Sequence, residues 1–260
     1  MKDRKPIRAI LFDFDGTIST LRCGWEQVMK PLMLEQITGG KPASAELEQE
    51  VDAYIDASTG IQTIHQMKWL AETVQKKGMR TDAPTDPWWY KAEYNRRLME
   101  QVDARLFRLE SGAVQAADFL MMGSVEFLQA LRSRGVRVFV ASGTDHPDVI
   151  REAKALGVFP LFDQIVGAPV GSESCAKEQV IAQLIQQEHL GGEDFAVCGD
   201  GKVEIRLGRE AGARTIGLAS NERQRCGVDP TKLDRLTQAG AELIVGDFLD
   251  AQKLLMYLGL

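Results

Sequence analysis

The apolar run at residues 7–12 ends at Asp13-Phe14-Asp15-Gly16-Thr17, and this junction constrains the fold of the 260-residue chain more than any other feature. A short run without polar alternation is the pattern of a strand buried on both faces of a parallel sheet. Parallel strands need crossover connections, so strand–helix units must follow. They appear from Gly123 onward. Residues 125–134 read as a helix stopped by Gly135, 136–141 as a strand, 145–156 as a helix with Gly157 as its cap, and 165–166 as part of a short strand. Residues 176–188 and 203–211 read as helices flanking a strand at 195–198; 214–218 and 243–245 complete the strands, and 248–258 forms a closing helix.

The segment from Ile18 to about Val114 has another character. Residues 25–37, 45–57, 61–76 and 88–107 carry apolar positions near helical spacing, among them Ile61, Ile64, Met67 and Leu70, and glycines such as Gly39, Gly40, Gly60 and Gly78 punctuate them. The expected architecture is α/β: a Rossmann-like, mostly parallel sheet core made of residues 1–17 and 120–260, with an inserted all-helical cap at 18–119.

Hydrophobic residues make up 44% of the chain and charged residues 26%, enough for a core without metal or disulfide staples. The formal net charge of -6 gives no basic surface for a nucleic-acid polymer or an acidic membrane, and leaves a small anionic ligand open. Cys23, Cys175, Cys198 and Cys226 form no CxxC pair, so neither a zinc cluster nor a disulfide framework is expected. The basic N-terminal stretch is followed by an apolar run that acidic residues interrupt at once, a poor secretion signal. No apolar run is long enough for a membrane span, and a reduced, cytoplasmic setting is expected. The oligomeric state, monomer or homodimer, is left open.

In an open α/β sheet, ligands gather beyond the carboxyl ends of the strands. Four polar sites fall there. Asp13 and Asp15 can bind a hard cation, attack phosphorus or move protons. Gly16 permits close backbone approach, and Thr17 can orient a phosphate. Ser142 and the backbone near Gly143 can hold a phosphoryl oxygen; alternatively Ser142 and Thr144 cap the following helix. Lys177 stands near a helix start, where the dipole disfavours a cation, and can neutralise a carboxylate and a phosphate together. Asp200 follows an apolar strand and can complete an oxygen-rich metal site. Glu204, four residues on, can bind through water or hold Lys177. For each, the plain alternative is an acidic turn, a cap or a solvated lysine.

Together the four sites closely resemble the haloacid dehalogenase superfamily of hydrolases, which is mostly phosphatases. DFDGT matches its first motif at Asp13 and Asp15, ASGT its second at Ser142, Lys177 fills the third-motif place, and Asp200 with Glu204 supplies the fourth. The insertion falls where relatives carry a helical cap, and GDGKVEIRLGREAGARTIGLAS looks like the phosphoglycolate phosphatase-like branch. Glu204 stands where many relatives have aspartate, and Gly201 where some have an acidic residue.

The resemblance implies a magnesium-dependent phosphatase acting on a small phosphorylated metabolite, a sugar phosphate or a phosphoglycolate-like compound. Mg²⁺ would be held by the Asp13 and Asp200 carboxylates and the Asp15 backbone carbonyl. Asp13 would be the nucleophile and Asp15 the acid and base; Ser142, Gly143 and Lys177 would hold the phosphoryl oxygens, with Glu204 behind Lys177. Arg22, Trp25 and Glu26, just after the catalytic loop, are candidate substrate contacts. A phosphomutase or phosphotransferase of the same fold, and a catalytically silent regulatory protein, are the competing expectations.

Overall fold

A computed structural model describes residues 5–173, 176–187 and 192–260; Cys175 lies outside the described residues. In chain order the elements are β1 (Ala9–Phe12), α1 (Glu26–Thr38), α2 (Ala45–Ser58), α3 (Thr63–Lys77), α4 (Pro87–Glu110), α5 (Ser124–Ser133), β2 (Arg137–Asp145), α6 (His146–Ala155), β3 (Gln164–Ala168), α7 (Ala176–Gln187), β4 (Phe195–Gly199), α8 (Lys202–Glu210), β5 (Arg214–Leu218), α9 (Pro230–Ala239), β6 (Leu243–Val245) and α10 (Ala251–Leu258). The strands form one parallel sheet in the order β3-β2-β1-β4-β5-β6. The fold is α/β, with a Rossmann-like core and an inserted all-helical segment. Contacts divide the chain into two compact units, residues up to Cys23 with Leu106–Leu260, and Gly24–Arg105.

β1 is central and every one of its residues is buried. Its alternate side chains serve two cores. Ala9 and Leu11 join Phe139, Ala141, Phe195 and Val197 on one face, against Val180 and Ile181 of α7. Phe12, on the other face, meets Phe127 and Phe248 edge-on, each with ring centroids 6.2 Å away. Because both faces are covered, the strand reads as an unbroken apolar run. Its C-terminal end is thereby fixed between β2 and β4, where the backbone N–H of Asp13 still donates to Cys198 O at 2.9 Å.

Three expectations change. The sequence reading assigns no element to the segment between β5 and β6, yet α9 lies there. Asp229 caps it by accepting from Lys232 N at 3.0 Å, Pro230 opens it and left-handed Gly240 ends it. Leu236 is its one buried residue, so apolar periodicity is faint. The closing helix begins at Ala251 rather than at 248, with Asp250 as its cap; Phe248 is a core anchor stacked 5.4 Å from Phe127. The second strand continues past Ala141 to Asp145 with a register shift against β3. Ser142 and Thr144 thus belong to an irregular strand end; Asp145 is the N-cap of α6, and no side chain caps that helix.

In the helical unit, α1 packs on α2 and α3. Ser44 caps α2, and Tyr54 stacks on Trp69 with centroids 3.8 Å apart. Among the described residues no helix is long and apolar enough to cross a membrane.

Gly123 opens α5 at φ 77°, and a Cβ there would lie 2.5 Å from the backbone carbon and oxygen of Phe248. Left-handed strain and the clash act together, so Gly123→Ala should lose about 2–4 kcal/mol of stability. Denaturant unfolding of the variant checks this.

Candidate active site

Asp13 stands one residue beyond β1 and is 7% exposed. The Lys177 ammonium lies 3.1 Å from its Oδ1 and 2.9 Å from Glu204 Oε2. Glu204, in the first turn of α8, accepts with its other oxygen from the Gly201 N–H at 2.6 Å. Both Glu204 oxygens are thus engaged, one by the lysine and one by its own helix start. Gly199 and Gly201 make room for it: a Cβ on Gly199 would sit 2.5 Å from Glu204 Oε1.

Asp13, Asp200 and Glu204 each place a carboxylate oxygen within 4.8 Å of the others, all three buried. Hard oxygen donors at this density suit Mg²⁺ or Ca²⁺ rather than a thiolate-seeking metal. Carboxylates taken out of water repel one another and require cations; with Glu222 beside Asp200 the cluster counts four, against the two ammonium groups of Lys177 and Lys232. The donor set therefore fits a hard divalent cation held by Asp13 and Asp200. Burial, opposed by Lys177 and reinforced by Glu204, Asp200 and Asp15, pushes the Asp13 carboxyl well above its ordinary range. For Lys177, burial works against the charge, but Asp13 and Glu204 outweigh it and hold the amine protonated.

Asp15 faces a different set of groups. Its Oδ2 accepts from Thr144 Oγ1 at 2.8 Å and from Ser142 Oγ at 3.2 Å. These hydroxyls sit two apart on the irregular end of β2, with Gly143 between them, and reach one oxygen together. Asp15 Oδ1 lies 3.8 Å from Arg22 Nε. Arg22, a candidate substrate contact by sequence, is directed at carboxylates of the core: its Nη2 is 2.6 Å from Glu152 Oε1 and 3.6 Å from Asp148 Oδ2. Glu152 is 1% exposed, and burial, partly offset by Arg22, raises its carboxyl to about 7.

Gly16 adopts φ 72° and its carbonyl accepts from Ser220 Oγ at 2.5 Å. Thr17 is fully buried, and its hydroxyl finds no hydrogen-bond partner among the described residues. Trp25, at the N-cap of α1, and the exposed Glu26 belong to the helical unit. That unit holds a cavity of about 580 Å³ bordered by Arg80 and Arg97. Both arginines are engaged within the unit, Arg97 by Glu35 and Glu93, Arg80 by Gln36 and Asp82.

The sequence reading missed Lys232. Its ammonium lies 2.6 Å from Asp200 Oδ2 and 2.7 Å from Glu222 Oε1. The available signal was Asp229-Pro230, a cap and opening residue that place Lys232 in a first helical turn within the connection from β5 to β6.

The model of the haloacid dehalogenase-like hydrolase family matches residues 7–212. PpaX of Clostridium perfringens, whose name assigns it provisionally to the pyrophosphatases, is 23% identical over 91 residues, 35% of this chain; the match spans 42% of that protein's length. Among solved structures, a predicted phosphoglycolate phosphatase from Haemophilus somnus superposes with a TM-score of 0.64 at 17% identity, covering 95% of this chain and 97% of that one. A β-phosphoglucomutase from Clostridium difficile gives 0.61 at 15% identity, covering 97% of each chain. These two likenesses speak for the fold. With the family match extending over most of its length, from the first strand through the helix that carries Glu204, the chain belongs to the haloacid dehalogenase-like hydrolases.

Proposed function

We propose that this chain is a Mg²⁺-dependent phosphomonoester hydrolase that acts through a phosphorylated Asp13 on a small phosphorylated metabolite. The observation that carries the reading is the buried Asp13 carboxylate, 3.1 Å from Lys177 and within 4.8 Å of the Asp200 and Glu204 oxygens. A carboxylate so placed is useful as a nucleophile only toward an electrophile that arrives with its charge neutralised, as a phosphate does in such a cluster. Asp13 and Asp200, with the Asp15 carbonyl as a further donor, would hold Mg²⁺, which when bound would supply that neutralisation and orient the phosphate.

The chain's own groups do the remaining work. One oxygen of Asp13 attacks phosphorus in line while the bond to the leaving oxygen breaks. Asp15 gives that oxygen a proton, then takes one from the water that hydrolyses the acyl phosphate. Thr144 and Ser142 fix the Asp15 carboxylate for both transfers. Lys177 and the backbone near Gly143 stabilise the transferring oxygens, and Glu204 keeps Lys177 aimed at Asp13.

The test is phosphate release from a broad metabolite panel with and without Mg²⁺, ranked by kcat/KM. Rapid release dependent on the ion supports the reading. No release from any substrate would remove it, and turnover only with a bisphosphorylated activator would make the chain a phosphomutase. Within the active panel, Asp15→Ala should lower kcat/KM by roughly 10²- to 10⁴-fold on alkyl phosphates. A wild-type rate in that variant would reject the acid–base role.

A further inference from the structure

Two lysines serve the carboxylate cluster, and the proposed chemistry uses only one. Lys177 holds Asp13 and Glu204; Lys232, from the first turn of α9, holds Asp200 and Glu222. The three protons of Lys232 meet three acceptors: Asp200 Oδ2 at 2.6 Å, Glu222 Oε1 at 2.7 Å and Ser220 Oγ at 3.0 Å. The side chains are nearly buried, Lys232 and Asp200 at 12% exposure and Glu222 at 14%. Ser220 in turn donates to the Gly16 carbonyl, so the loop after β5 is tied to the loop that carries Asp13 and Asp15.

The cluster is packed against Gly16. A Cβ there would fall 2.3 Å from Asp200 Oδ2 and 3.2 Å from Glu222 Oε1. Glu222 therefore stands beside the same backbone turn as the candidate metal carboxylates, with its Oε1 turned onto an ammonium.

We infer that Lys232 sets the metal selectivity of the site: by occupying Glu222 and one oxygen of Asp200, it keeps the cation site poor in carboxylate donors and favours Mg²⁺ over Ca²⁺. This inference rests on the divalent-cation reading proposed above. Ca²⁺ takes six to eight oxygens and welcomes bidentate carboxylates, whereas Mg²⁺ keeps a compact octahedron with several waters. Removing the ammonium releases Glu222 and Asp200 Oδ2 as donors and withdraws one positive charge from beside a divalent ion. Both changes tighten binding, and the added donors favour the larger ion.

The experiment is calorimetric titration of the 260-residue chain with MgCl₂ and with CaCl₂, without substrate. Lys232→Met should bind Ca²⁺ at least about tenfold tighter and Mg²⁺ no more than about threefold tighter. Adding Glu222→Gln to that variant should return the Ca²⁺ affinity to within about threefold of wild type, because the extra donor is gone. Unchanged or weaker Ca²⁺ binding in Lys232→Met overturns the inference, as does tightening that survives in the double variant. Glu222→Gln alone, which keeps Lys232, provides the measurement if Lys232→Met does not fold. It leaves the ammonium charge uncompensated and should weaken both ions several-fold, and tighter binding in it also overturns the inference. A wild-type chain that binds neither ion removes the divalent-cation reading itself; a wild-type chain that binds Mg²⁺ while Lys232→Met keeps its selectivity removes the Lys232 inference alone.

Discussion

Asp13→Asn should lose phosphate release on the order of 10⁴-fold or more in kcat while the protein stays folded. The amide fills the same space but cannot form a stable phosphorylated intermediate. The expected effect on stability has the opposite sign. Asp13 is buried and repelled by Glu204, Asp200 and Asp15 as well as attracted by Lys177. In the variant Lys177 keeps its 2.9 Å contact to Glu204, so no buried cation is left unpaired. Without added metal, the melting temperature of Asp13→Asn should therefore equal or exceed that of the wild type, as when a site is strained for the sake of its chemistry. Steady-state phosphate release and thermal unfolding on the same preparation check both halves. Retained turnover in a folded, magnesium-loaded variant would exclude Asp13 as nucleophile.

Lys177→Met should damage both properties. It removes the cation between two buried carboxylates, and breaking such a pair typically costs about 3–5 kcal/mol. Asp13 and Glu204 would then face each other across an apolar side chain. Adding Glu204→Gln leaves a single charge there and abolishes that repulsion, so the double variant should recover much of the lost stability. Turnover should not recover, since the positive charge opposite the transferring phosphate is still missing; a loss of about 10²- to 10³-fold in kcat is expected in both variants. Denaturant unfolding and single-turnover kinetics separate the two effects. If Glu204→Gln rescued activity along with stability, Lys177 would be a scaffold residue without a role at phosphorus.

The strand ends were readable because a strand buried on both faces leaves an unbroken apolar run, and the first polar residue after it must lie at the edge of the sheet. Asp13 and Asp200 were located that way, and the bounds of β5 and β6 agree with the sequence reading to the residue. The helices of the 24–105 segment were legible from buried positions such as Ile64, Met67 and Leu70 on α3. Where periodicity is weak the reading failed. α9 buries little beyond Leu236, so nothing in its hydropathy marks it, although its cap and its terminal glycine do.

Arg22 shows a second kind of limit. An arginine just past the Asp13–Thr17 loop fits a substrate contact equally well whether or not a carboxylate waits 130 residues away, and Glu152 does. Ser142 likewise followed a strand in the sequence, but only the register shift at the end of β2 brings it with Thr144 onto one oxygen of Asp15.

By itself the sequence determined the parallel core, the order of its strands and of its α-helices apart from α9, and the placing of Asp13 and Asp200 at strand ends, because burial pattern and turn chemistry are local properties. Only the tertiary structure decided the partners: Lys177 with both Asp13 and Glu204, Arg22 with Glu152, and Lys232 with Asp200 and Glu222. Charge pairing depends on distance in space, and the strand order β2-β1-β4-β5 makes neighbours of loops that the chain separates by more than a hundred residues.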